Sequence, residues 1–220
     1  MISEVFNIDC LEYMRTLPDK FFDLAIVDPP YGIKHSTKAG EMGGQKYGKA
    51  AAHKKMYDTK DWDNYRPNVQ YFTELKRISY NQIIWGGNYM ADLLPPKSGW
   101  IVWDKDNGDN GFSDCELAWS SFDCGLRKVK ITWNGMIQYD MKNKEERIHP
   151  TQKPVALYKW LLKNYAKKGD KIFDSHMGSQ SSRIAAYDMG FDFWGCELDK
   201  DYFEAGCKRF EQFKSQLKMF

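Results

Sequence analysis

The residues best suited to chemistry are Asp28, Pro29, Pro30, Tyr31 and Gly32, which directly follow the apolar run Leu24-Ala25-Ile26-Val27. A short apolar run with β-branched residues is the pattern of a strand buried on both faces. Two prolines cannot donate to a sheet ladder, so the strand must end at Asp28. A carboxylate, a carbonyl fixed in direction by the diproline and an aromatic ring then stand at the carboxyl edge of a parallel sheet. Open α/β sheets bind ligands at that edge. A turn acid that merely caps the next segment would also end a strand, but capping does not call for Pro-Pro-Tyr.

A second acid-ended strand lies late in the chain. Lys171-Ile172-Phe173-Asp174 runs into the small-residue turn 175–182, with Gly178 where backbone would approach a ligand. Glu197 closes the next strand about 20 residues on, the spacing of an acid that accepts ribose hydroxyls. The glycines of GxGxxG are missing, and a lone glycine is equally explained by tight strand–helix packing. His176 reads as a structural histidine.

These residues need a scaffold, and 220 residues suit one domain. Strands are predicted at 4–8, 24–28, 82–86, 100–103, 129–133, 171–174 and 193–197, the fifth of them antiparallel. Helices are predicted at 10–16, 69–78, 88–94, 155–166, 183–189 and 200–216. Seven strands alternating with helices predict a doubly wound, mostly parallel α/β sheet. Trp85, Trp100 and Trp103 read as core. Residues 33–66 lose all apolar period. Between Lys34 and Lys55 there are six lysines against one acid, Glu41. A basic loop of this length is either a solvated connection or a segment that meets phosphates. Lys34, Lys46, Lys49, Lys54 and Lys55 are its candidate phosphate contacts.

The remaining features exclude classes. Five cysteines form no CxxC pair, which predicts neither a zinc site nor a disulfide framework and suits a reducing cytoplasm. The N-terminus has no basic and apolar leader pattern. No apolar run approaches the roughly 20 residues that span a bilayer.

The strand-ended DPPYG resembles the catalytic motif of amino-group DNA methyltransferases. Residues 173–181 resemble their S-adenosylmethionine motif. His149-Pro150-Thr151-Gln152-Lys153-Pro154 is similar to the segment that precedes the cofactor half in the β-class. Asn7-Ile8-Asp9-Cys10 resembles the N-terminal cofactor-adenine segment. The catalytic motif comes first and the cofactor motif last, the permuted β-class order. The resemblance implies the seven-stranded, Rossmann-like methyltransferase fold in one domain spanning 1–220, with a mobile basic loop at about 33–66 and a small recognition insertion at about 134–148. It implies S-adenosylmethionine as cofactor. Asp174, Gly178 and Ser179 would stand at its methionine end, Glu197 at its ribose, Asp9 and Cys10 at its adenine, and Lys153 nearby. Asp9 would also suit as the N-cap of the helix that follows. The second glycine of the cofactor turn is replaced by Gln180.

The chemistry fits these residue types. An exocyclic amine on a base is a poor nucleophile because its lone pair is delocalised into the ring. The Asp28 carboxylate and the Pro29 carbonyl can accept both N–H protons and localise that pair. Tyr31 can stack on the base, which must be flipped out of the duplex. The expected function is transfer of a methyl group to the N6 amine of adenine in double-stranded DNA, as found in host genomes, restriction–modification systems and phages. N4-cytosine transfer is the nearest rival; that family more often carries Ser at position 28. A C5-cytosine enzyme needs a cysteine after a proline, and none is present. Two further functions fit parts of the pattern: nucleic-acid binding by a relative without catalysis, and nicotinamide-dependent oxidoreduction. The small recognition region leaves homodimerisation open.

Overall fold

The computed structural model describes residues 1–34, 60–108, 113–134 and 137–217. Its strands are β1 (Ser3–Phe6), β2 (Phe22–Val27), β3 (Ser79–Trp85), β4 (Ile101–Asp104), β5 (Cys115–Ser120), β6 (Arg127–Lys130), β7 (Trp133–Asn134), β8 (Ile137–Gln138), β9 (Lys171–Asp174) and β10 (Asp192–Cys196). Its α-helices are α1 (Cys10–Arg15), α2 (Val69–Ile78), α3 (Val155–Tyr165), α4 (Ser181–Asp188) and α5 (Lys200–Leu217). A 3-10 turn covers Gly87–Met90, where a short helix is predicted.

Eight strands form one sheet in the order β1-β10-β9-β2-β3-β5-β4-β6. The first five run parallel. Alternation along β2 shows why. Leu24 and Ile26 enter one hydrophobic core, Ala25 and Val27 the other, and all four are buried. Ile172 and Phe173 of β9 and Phe193 and Trp194 of β10 divide the same way. Helices α3, α4 and α5 cover the first face through Leu157, Leu161, Ile184 and Phe210, while α1 and α2 cover the second through Met14, Phe72 and Leu75. Helices on both faces of a parallel sheet make the fold doubly wound.

The sheet exceeds the expected seven strands by one. Strand β5 inserts antiparallel between β3 and β4. It carries Glu116 amid apolar residues and follows turn-rich sequence, which hid it. The expected antiparallel strand at 129–133 is instead β6, which runs parallel to β4 with Ile101 opposite Arg127. It is an edge strand, RKVK, whose charged residues suit an edge exposed to solvent. Lys128 and Lys130 pair with Asp104 and Asp106. Strands β7 and β8 form a separate hairpin. Trp85 and Trp103 are buried core, and Trp100 packs against it half-buried. Among the described residues, no helix is long and apolar enough to cross a membrane.

Candidate active site

Four acids stand at the carboxyl ends of four adjacent parallel strands: Asp9 beyond β1, Glu197 beyond β10, Asp174 at the end of β9 and Asp28 beyond β2. A cavity of about 270 Å³ opens along this edge. Asp9, Cys10, Asp28, Pro30, Lys153, Gly178, Ser179 and Glu197 share its wall. The sequence segments around residues 9, 28, 153, 178 and 197 thus meet at one site.

At one end the acids are held by backbone. Asp9 caps α1, with Oδ1 accepting the N–H groups of Leu11 and Glu12 at 2.8 and 3.1 Å. The capping role and the cavity position coexist. Glu197 accepts the N–H of Gly178 at 2.8 Å and of Asp199 at 2.9 Å. Burial raises its carboxyl above the usual range against these two bonds. Burial, helped by Asp9, pushes the Cys10 thiol up to about 12, so the cysteine stays protonated. His149 closes this part of the wall between the rings of Trp62 and Tyr202, at 5.1 and 4.2 Å.

Asp174 departs from its expected place beside the cofactor. It is 1% exposed and lies behind the cavity wall. Its oxygens accept the Ser182 hydroxyl at 2.6 Å and the His176 N–H at 3.0 Å, so it ties the turn together. Burial pushes its carboxyl up to about 7, against those two hydrogen bonds. Burial likewise holds the His176 imidazole down to about 4. Gln180 also points away from the cavity. Its φ is +58°, a left-handed conformation that a glycine adopts without cost. Its side chain packs onto α5 at Gly206, where a Cβ would lie 2.6 Å from Gln180 Cγ. It donates to the Phe203 carbonyl at 3.2 Å and accepts from Arg183 at 2.9 Å. The missing glycine is compensated by a glycine on the facing helix.

At the other end the acids meet side chains. The Asp28 Oδ1 accepts the Tyr31 hydroxyl at 2.7 Å, and Oδ2 accepts from Lys153 Nζ at 2.5 Å. Lys153 Nζ is also 3.1 Å from Glu116 Oε2, and Lys105 pairs with Glu116 Oε1 at 2.8 Å. Burial and the Glu116 charge raise the Asp28 carboxyl against the pull of Lys153. Burial acts on Glu116 too, but Lys153 and Lys105 together hold it at about 2. Lys153 lines the cavity, with its ammonium turned to these two acids.

The DPPYG backbone is pinned by Asp63, whose Oδ1 accepts the N–H groups of Tyr31 and Gly32 at 2.8 and 3.0 Å. Pro29 is buried and Pro30 faces the cavity. The Tyr31 ring stacks on Tyr89, with centroids 5.0 Å apart, and lies beside Gly86. A Cβ at Gly86 would stand 2.1 Å from that ring, so only glycine fits there. Lys34 is exposed at the end of this segment. Lys46, Lys49, Lys54 and Lys55 lie outside the described residues.

Sequence reasoning missed Glu116, Lys105 and Asp63. A lone acid within the apolar strand β5 is the signal that marks Glu116. Nothing local marks Asp63.

A mostly parallel sheet with four acids at its carboxyl edge, and a diproline turn at the middle strand, defines an amino-group methyltransferase architecture. Comparison with known proteins agrees. The DNA methylase family model, which covers N6 and N4 methyltransferases, matches residues 84–208. The chain belongs to this family, whose members take the methyl group from S-adenosylmethionine and act on DNA. It is 24% identical to the type II methyltransferase M.HinfI of Haemophilus influenzae over 97% of this chain and 69% of that protein. The solved M1.HpyAVI complex with S-adenosylmethionine superposes with a TM-score of 0.59 at 19% identity, covering 95% of this chain and all of that one. The PvuII DNA methyltransferase, described as cytosine-N4-specific, superposes at 0.60 with 12% identity over 96% of this chain and 89% of that one.

Proposed function

We propose that the chain, as one methyltransferase domain, methylates the N6 amine of an adenine flipped out of double-stranded DNA in the cytoplasm. One observation carries this reading. Asp28 and Pro30 face the same cavity as Asp9, Gly178 and Glu197, so an amine acceptor and a cofactor wall share one space.

S-adenosylmethionine, when bound, supplies an electrophilic methyl carbon whose bond to sulfur breaks as the new bond to nitrogen forms. The donor set fits that group. The Glu197 carboxylate retains lone pairs for ribose hydroxyls while held by Gly178 and Asp199. Asp9 stands at the adenine side with Cys10, and Ser179 with the Gly178 turn at the methionine side. Asp174 acts one layer back, by fixing that turn. The Asp28 carboxylate and the Pro29 carbonyl accept the two N–H protons of the target amine, localise its lone pair, and aim it along the transfer axis. The surplus proton of the methylated amine leaves through the hydrogen bond to Asp28. Tyr31 does not line the cavity; packed between Gly86 and Tyr89, it orients Asp28 through its hydroxyl.

The hairpin β7–β8 and the residues after it, with Ile137, Tyr139 and Met141 half exposed, suit the recognition insertion. The excess of lysine at 34–55 suits phosphate contact. An aspartate at position 28 favours adenine over cytosine. Incubation with tritiated S-adenosylmethionine and unmethylated plasmid DNA, followed by chromatography of the nucleosides, tests the reading. N6-methyladenine is expected. N4-methylcytosine would move the assignment to the rival base, and absent transfer with absent cofactor binding would overturn it.

A further inference from the structure

The acceptor proposed for the target amine is already engaged by the chain itself. Both Asp28 oxygens are engaged by the chain's own donors, Tyr31 on Oδ1 and Lys153 on Oδ2. Each carboxylate oxygen keeps a second lone pair, but the Lys153 ammonium stands 2.5 Å from Oδ2 and competes with an arriving amine for it. That side chain is 4% exposed, and its ammonium sits 5.4 and 5.6 Å from the rings of Trp85 and Tyr31. A buried cation without a partner is strongly unfavourable, so it needs a second acceptor within a short swing.

Glu116 Oε2 is that acceptor. It is buried and already ion-paired with Lys153 Nζ at 3.1 Å, outside good hydrogen-bond geometry. The other oxygen, Oε1, is fixed by Lys105. Glu116 is therefore held in place with Oε2 facing, at ion-pair distance, a lysine that competes with the amine for Asp28.

We propose that Lys153 is handed from Asp28 to Glu116 when the target amine arrives. Glu116 is a positioning residue in this scheme: it frees Asp28 without ever touching the base. Charge is conserved throughout, because Lys153 exchanges one carboxylate for another. Lys105 sets the balance by competing with Lys153 for Glu116. The proposal rests on the reading of Asp28 as amine acceptor.

The test is a double-mutant cycle measured by methyl transfer to unmethylated plasmid DNA, with cofactor affinity followed by calorimetry. Glu116→Gln leaves Lys153 bound to Asp28 as its one charged partner. Transfer should fall about 10- to 100-fold, the range carried by a charge-assisted hydrogen bond. Cofactor affinity should stay within about twofold, since Glu116 is not in the cavity wall. In a Lys153→Gln background there is no cation to hand over, and adding Glu116→Gln should cost less than about threefold. Equal losses in both backgrounds, or wild-type transfer by Glu116→Gln, would overturn the hand-over. Lys105→Gln supplies the opposite sign: it leaves Glu116 freer for Lys153 and should lower the KM for DNA. A rise in KM there counts against the proposal even if Glu116→Gln does not fold. Asp28→Ala separates the two layers, because full transfer by that variant would refute the amine-acceptor reading itself.

Discussion

The two ends of the cavity hold their acids by different means. At the end proposed for the cofactor, Asp9, Glu197 and Asp174 are anchored chiefly by backbone N–H groups two to nineteen residues away. At the end proposed for the amine, Asp28 is anchored by the side chain of Lys153, 125 residues away, which in turn faces Glu116 on another strand. Backbone donors give fixed geometry and place no counter-charge in the site. A network of paired side chains can rearrange while keeping its charge balanced. The rigid end suits holding a cofactor, and the exchangeable end suits admitting a base that arrives from a duplex.

That contrast is broken most directly at Asp28. Asp28→Ala removes the acceptor and should lower single-turnover transfer by at least about 1,000-fold, in keeping with loss of a preorganised polar group at the reacting atom. Cofactor affinity by calorimetry should change less than about threefold, because the backbone-held acids at the other end are untouched. Parallel loss of both would mean that the two ends are one structural unit.

The converse substitution is Glu197→Ala. Loss of a charged acceptor should weaken cofactor binding by about 10- to 100-fold. Transfer at saturating cofactor should remain within about threefold of wild type, because positioning at the amine end does not pass through Glu197. A fall in the saturated rate as large as the fall in affinity would merge the two roles.

The same contrast decides what could be read from the chain. Asp9, Asp174 and Glu197 each close a strand, and their partners lie in the turn that follows or, for Glu197 and Gly178, in the turn one strand back, so local pattern exposed them. Helix α2 has its bounds at Val69 and Ile78 as expected, because its apolar period and the Asn68 cap are local too. Lys153 was legible as part of HPTQKP, but its partners were not. Contact between β2, β5 and the segment before α3 depends on sheet order, and β5 itself was hidden by a glutamate in a six-residue strand. Asp174 shows the opposite limit. Its position was right, but sequence could not tell a carboxylate facing the cavity from one turned back to Ser182.

Within the rigid end, pH offers a finer probe. Asp174 has a folded value of about 7 against an ordinary 3.8, so the folded chain holds a proton that the unfolded chain releases between those values. Its effect is to lower stability as pH rises from about 4 to 7. His176 has a folded value of about 4 against 6.5, so the unfolded chain binds the extra proton and stability falls as pH drops through that window. From about pH 4 to 6.5 the two slopes oppose each other, each at about 1.4 kcal/mol per pH unit. Asp174→Asn should leave the His176 slope, with stability rising with pH relative to wild type. His176→Gln should leave the Asp174 slope, with the reverse sign. Thermal melting of the wild type and both variants across this range measures the difference curves. Curves parallel to wild type would show that neither group is buried in the state that unfolds.

The smallest effect on activity is expected at Gln180, where the chain departs most visibly from the family's cofactor turn. Gln180 avoids the cavity because Gly206 leaves it room on α5. Gly206→Ala would place a methyl group 2.6 Å from Gln180 Cγ, and should destabilise the fold by about 1–3 kcal/mol as overpacking does. Gln180→Gly removes a left-handed glutamine, worth about 1–2 kcal/mol, but also its bonds to Arg183 and the Phe203 carbonyl, so its net effect should be slight. Combined, the two changes should cost less than their sum, because the clash needs both side chains. Cofactor affinity should stay within about twofold in Gln180→Gly, as the side chain is not in the cavity wall. Additive costs would mean that Gly206 serves α5 alone. A gain in affinity would mean that the glutamine, despite facing away, still distorts the turn that carries Gly178.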